Sequence, residues 1–141
     1  MTDIKHKTTG EVLASIDADT LVGADLRDMR LDGADLANAD LSGADLHFSD
    51  LHDADLSGAK LRGALLVGVH LNNADLSGAD LSRVRAGSDR PALAAVLRGA
   101  TLKNAKLEGA DLRNAEVRDA DLQHANLTCA DSRGTDFSHS N

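Results

Sequence analysis

The chain has 141 residues, enough for one domain, and is 42% hydrophobic, yet it holds two phenylalanines and no tryptophan or tyrosine, which excludes an ordinary core filled by aromatic bulk. Its net charge of −8, from 15 basic and 23 acidic residues, argues against nucleic acid or an anionic membrane as a direct partner, because both reward positive charge. The charge is uneven, summing to −9 over residues 1–81, +3 over 82–99 and −2 over 100–141.

In chain order, Ile4–Lys7 and Glu11–Ile16 flank Thr8-Thr9-Gly10, which predicts a short β-hairpin with glycine supplying the turn. From residue 17 a leucine or its substitute recurs every fifth position, from Leu21 to Leu81 and again from Leu97 to Phe137, in 22 units. Five is neither a helical nor a strand period. On a helix at about 100° per residue the leucines would smear around the cylinder, and on a flat strand they would alternate between faces. All of them are buried only if the chain turns a corner with each unit and coils about an axis.

The number of units in one circuit is suggested by the residue two before each leucine. It is Ala in most units from Leu26 to Leu81 and departs from Ala at Met29, Ser49 and Val69, which lie 20 residues apart. Four units per circuit would stack these three in one column, where a large Met and Val flank a small Ser and conserve volume.

The recurrent A-D-L-x-x, as in "GADLANADLSGADL" and "LEGADLRNAEVRDADL", resembles the pentapeptide repeat family over about residues 17–139. The resemblance implies an all-β fold, a right-handed, four-sided parallel β-helix with the leucine and the small residue two before it facing inward. The expected organisation is an N-terminal hairpin cap at 1–16, β-helix at 17–86, an inserted loop at 87–94 and the same β-helix continuing at 95–141.

The hairpin is expected to cover the first circuit, since an open end exposes leucines and unpaired backbone. The opposite end, "ADSRGTDFSHSN", has no comparable cap, so Phe137 marks a candidate homodimer surface through the C-terminal coil. Between Leu81 and Leu97 the register slips, and "SRVRAGSDRPALAAVL" holds the only proline. There a projecting loop is expected, with a short helix capped by Ser88 or Asp89 and running through Pro91. Arg83, Arg85 and Arg90 are its candidate contacts.

Stacking the residue before each leucine gives columns of outward groups. Asp40, Lys60, Asp80 and Lys106 alternate in charge. Arg30, Asp50 and His70 form another column. Asp35, Asp55, Asp75, Thr101 and Asp121 form the one uncompensated acidic column, a candidate partner-binding stripe. The last holds Asp25, Asp45 and Leu65, where Phe48, Leu65 and Val67 make a candidate apolar patch.

No catalytic, cofactor-binding or metal-ligating set is expected. His47 and His52 fall on adjacent faces without further ligands, Asp136, Ser138 and His139 lie in one terminal strand, and the glycines follow the repeat rather than a phosphate loop. Cys129 is the single cysteine, so no internal disulfide forms. The start "MTDIKHKTTG" lacks an apolar leader and the longest apolar run, Ala92 to Leu97, is too short to span a bilayer, so a cytoplasmic protein is expected.

Two functions follow as expectations. The first is a non-enzymatic interaction or scaffold protein presenting rigid faces to a protein partner. The second is a DNA mimic: the resemblance implies that some pentapeptide repeat proteins occupy the DNA site of type II topoisomerases, making DNA gyrase or topoisomerase IV the partner and quinolone or toxin resistance the outcome. At a strand spacing of ~4.8 Å, 22 units span ~26 Å, equivalent to about eight base pairs.

Overall fold

The computed structural model describes residues 1–141. Each five-residue unit is a tight turn followed by a short extended corner-to-corner segment. In nearly all units the N–H of the small residue bonds back to the carbonyl of the preceding leucine, as in Ala54 to Leu51 at 3.1 Å and Ala79 to Leu76 at 3.0 Å. The second residue after each leucine takes a positive φ, from 56° to 71°, which is the left-handed position of a type II-like turn and explains the Gly, Asn and Asp found there.

The aspartate of A-D-L has a local task. Thirteen N–H groups two residues downstream bond to the side-chain oxygen of an outward Asp or Asn, from Arg27 on Asp25 to Ser138 on Asp136. Each such Asx turn satisfies a donor that the bend would otherwise strand.

Units four apart pair in parallel, forming four ladders that we name by their first member. The Asp25 ladder runs through Asp45, Leu65, Arg85, Asp111 and Asp131. The Arg30 ladder runs through Asp50, His70, Val96, Glu116 and Asp136. The Asp35 ladder runs through Asp55, Asp75, Thr101 and Asp121, and the Asp40 ladder through Lys60, Asp80, Lys106 and Asn126. The step is 20 residues before the insertion and 26 across it, as from His70 to Val96. The chain is therefore near-all-β, with no α-helix.

The core is one cluster of 35 buried residues, with Leu26 to Leu81 each at most 3% exposed. Met29, Ser49 and Val69 do share a column. Ser49 is fully buried, and its hydroxyl donates to the Leu46 carbonyl at 2.7 Å, so its polar atom is satisfied inside an apolar stack.

The hairpin forms from β1, Thr2–His6, and β2, Val12–Ile16. It does not lie over the whole first circuit. β1 pairs antiparallel with β3, Ala34–Asp35, with Lys5 opposite Asp35, so the hairpin extends one ladder only, while Ile4 is buried against the core.

The insertion differs from expectation in its helix and not in its bounds. Val84 and Ala86 complete a buried unit, and Ala95 then donates to the Ala86 carbonyl at 2.8 Å. The excursion leaves and returns at one place, too short for helix propagation. It holds a single 3-10 turn, Pro91–Leu93, preceded by Arg90 and without a side-chain cap. Ser88 Oγ instead accepts the Arg90 N–H at 3.1 Å.

Candidate interaction surfaces

The expected acidic stripe is one continuous ladder, but it is not uncompensated. Each of its four aspartates first caps its own turn. Lys5 stands opposite Asp35 on β1. Lys7 donates to the Asp53 carbonyl and lies close enough to help hold the Asp55 carboxyl below the usual carboxylate range, after the larger effect of the Ser57 hydroxyl. Lys103 pairs with Asp121 at 3.2 Å. The hairpin supplies two of these lysines, and its docking against this ladder was not legible in the repeat.

At the ends of the Asp25 ladder the charges are internally matched. Asp25 bonds the Arg27 guanidinium through both oxygens, at 2.8 and 2.7 Å, and its pKa falls to about 2. Asp45 meets His47 Nδ1 at 2.7 Å and Arg27 at 3.6 Å. At the other end Arg113 and Arg133 fork onto Asp111 and Asp131, with the Asp131 pKa lowered to about 2, chiefly by the Arg133 bond. Such bidentate pairs are the strong form of the interaction.

The middle of the same ladder is different. Leu65 and Arg85 are direct bridge partners, and the exposed Phe48 lays its ring over Gly68, where a Cβ would collide with it. Val67 is partly exposed on the segment after Leu65. The apolar trio and the arginines at the foot of the insertion therefore fall on one side of the molecule, although they were read from separate stretches. Arg62 is exposed in the turn between this ladder and the Asp40 ladder, near enough to Asp80 to act on its carboxyl. Sequence reading passed over it, and applying the 20-residue column to corner positions would have found it.

The insertion is tied down rather than free. Ser88 donates to the Arg113 carbonyl at 3.0 Å and accepts from Asn114 Nδ2 at 2.9 Å, while Asp89 pairs with Arg113 at 2.6 Å. Gly87 is needed here, because a Cβ would strike the Arg113 backbone and the Asp111 carboxylate. Arg83, Arg85 and Arg90 remain exposed.

His47 and His52 each bond the aspartate two residues before, at 2.7 Å, and the His52 pKa is raised, chiefly by that bond to Asp50. At the C-terminal end Leu122, Leu127 and Phe137 are only partly covered and Ser132 is exposed.

The unit, its left-handed turn residue and its return every fourth unit decide the relationship. The chain belongs to the pentapeptide repeat family. The family model for pentapeptide repeats matches residues 21–58, 49–85, 94–117 and 115–141. Among solved structures, the pentapeptide repeat protein alr5209 from Nostoc PCC 7120 is 35% identical over 80% of this chain and 84% of its own, with a TM-score of 0.56. HetL, from Nostoc sp. strain PCC 7120 and involved in heterocyst differentiation regulation, is 32% identical over 85% of this chain at a TM-score of 0.39; the match spans 58% of HetL. The plasmid-mediated fluoroquinolone resistance protein QnrB1 is 22% identical over 85% of this chain and 62% of its own, at a TM-score of 0.39. No curated protein sequence matches the chain. No helix is long and apolar enough to cross a membrane.

Proposed function

We propose that the chain is a non-enzymatic interaction scaffold, a right-handed four-sided β-helix whose rows of outward side chains meet a protein partner in the cytoplasm. The observation carrying this reading is the set of four parallel ladders, which hold one side chain per circuit at a regular strand spacing over a core of leucine and alanine. A frame bonded at every corner loses little conformational entropy on association. In this organisation residues 1–16 form a cap, 17–86 and 95–141 one β-helix, and 87–94 an inserted loop.

The second reading, mimicry of DNA toward gyrase or topoisomerase IV, is favoured by the Asp35, Asp55, Asp75 and Asp121 ladder and weakened by the lysines that answer it. A homodimer joined through Phe137 and the partly covered Leu122 and Leu127 would double the length of such a mimic.

Titration into gyrase supercoiling reactions, with and without a quinolone, separates the two. The scaffold reading expects neither inhibition nor protection. Inhibition that disappears when Asp35, Asp55 and Asp75 are replaced by Asn would overturn it in favour of mimicry.

A further inference from the structure

We infer that the middle of the Asp25 ladder, around Leu65 and Arg85, is a docking surface for an acidic segment of a protein partner. The inference rests on the scaffold reading and gives it a face and a partner chemistry. Its first support is unspent positive charge. Of the 15 lysines and arginines, seven are held in ion pairs: Arg27, Lys60, Arg98, Lys103, Arg113, Arg118 and Arg133. Arg62, Arg83 and Arg85 are not among them: Arg85 lies on the ladder itself, and Arg62 and Arg83 lie in the turns just before Leu65 and Arg85, on units stacked one circuit apart. Arg62 helps lower the Asp80 pKa, but only as a minor contribution. The acids above and below, Asp45 and Asp111, are occupied by Arg27 and His47 and by Arg113. In a chain of net charge −8, a cationic spot thus survives where the acids have been locally taken.

The second support is apolar. Leu65 replaces the aspartate of the repeat beside Arg85, with Val67 partly exposed on the same unit and Phe48 51% exposed at the far corner. An aromatic ring and arginines around an aliphatic centre match the composition of protein-binding hot spots.

The third support is backbone strain. Phe48 and Arg83 hold φ of 59° and 60°, where the fold places Gly, Asn or Asp at every other turn before the last circuits, in which His124, Cys129 and His139 also take this conformation. Bulky residues in this conformation are strained, and such outliers concentrate at functional sites. These two stand at the opposite corners of this one face. Between them Gly43 and Gly63 leave the near corner without side chains, and a Cβ there would meet nothing within 4 Å, so a partner backbone can approach closely.

The chemistry selects a polypeptide over a nucleic acid. Guanidinium groups take carboxylates as forks, and apolar partner side chains fill the space over Phe48 and Leu65. A phosphate backbone continues at constant charge and would run onto Asp25 and Asp45 on one side or Asp111 and Asp131 on the other. An acidic peptide can end, or turn apolar, where the cationic patch ends.

The test uses the full chain and fluorescence anisotropy with a labelled peptide alternating Glu with Leu and Phe, its counterpart with Lys for Glu, and a single-stranded DNA oligonucleotide of equal charge. Saturable binding of the acidic peptide alone is expected. The double variant Arg62→Glu/Arg85→Glu should lose about tenfold per reversed charge. Phe48→Asn should weaken binding while leaving the thermal midpoint unchanged or higher, because Asn38, Asn73 and Asn114 already occupy this conformation at equivalent corners. Asp35→Asn/Asp55→Asn/Asp75→Asn should bind as the parent does. Absence of saturable binding, indifference to the arginine reversals, or tighter binding of the oligonucleotide would each overturn the inference. None of these results bears on the gyrase titration, so the two readings fail separately.

Discussion

Leu51 and Leu127 occupy the same place in the repeat and differ in what lies above them, which allows the stacked core to be tested by one substitution made twice. Leu51 is 1% exposed in the middle of the stack, whereas Leu127 lies in the final circuits and is only partly covered. Replacing Leu51 with Ala removes its transfer free energy and leaves a closed cavity, for which about 2.7–5 kcal/mol is expected. At Leu127 the vacated space opens to water, so the cavity contribution vanishes and about 1–2 kcal/mol of lost burial remains. Against a total of roughly 5–15 kcal/mol, the first variant should move the urea midpoint far more than the second. Circular dichroism at low protein concentration, with light scattering to define the assembly state, makes the measurement. If two copies join through the C-terminal coil, the cost at Leu127 rises with concentration as the dimer forms. Equal costs at every concentration would refute the reasoning, because Leu127 would then be as enclosed as Leu51.

A Cβ at Gly63, where φ is near 67°, meets nothing within 4 Å, while one at Gly87 would strike the Arg113 backbone; Gly63→Ala should cost about 1 kcal/mol and Gly87→Ala clearly more, read from thermal midpoints. Nine aspartates have lowered pKa values, including Asp25 and Asp131 at about 2 against an ordinary 3.8. A depressed folded-state value stabilises above the unfolded pKa and is lost below it, so stability should fall as pH drops from about 4 towards 2, and Asp131→Asn should flatten part of that slope in acid titrations followed by circular dichroism. His52 has the opposite sign. Its pKa is raised above 6.5 by Asp50, so it stabilises below that value and ceases to as pH rises through the folded value; His52→Gln should remove that component from the pH profile of the urea midpoint.

The parts of the fold governed by burial could be read directly. A leucine at every fifth position demands a corner per unit, and the Met29, Ser49 and Val69 column names the number of units in a circuit, because volumes must match between stacked neighbours. What depended on a side chain's choice between two partners could not be read. An aspartate on a corner looks the same in sequence whether it faces a basic protein or caps its own bend. Lys7 looks like part of a solvated hairpin until β1 docks beside Asp35. The insertion suggested a short capped helix because Ser88, Asp89 and Pro91 are helix-start residues, but the closing Ala95 to Ala86 bond leaves length only for the uncapped 3-10 turn at Pro91–Leu93.

This choice of partner changes what the chain's acidity means. Every Asp and Asn on the four ladders caps the turn that follows it. Most of the negative charge is therefore required by the repeat itself and would be present whatever the partner. Net charge is then weak evidence for DNA mimicry, since a chain with no partner would carry it too. The positions that inform are those where the ladder gives up its capping residue, because there a local hydrogen bond has been lost. Leu65 and Arg85 are two consecutive ladder positions of this kind, facing outward between satisfied acids. The Arg30 ladder forgoes it too, at His70, Val96 and Glu116, so the lost turn alone does not single out a face. What sets Leu65 and Arg85 apart is an aliphatic group stacked beside an exposed guanidinium held in no ion pair, which an acidic segment with apolar side chains would meet.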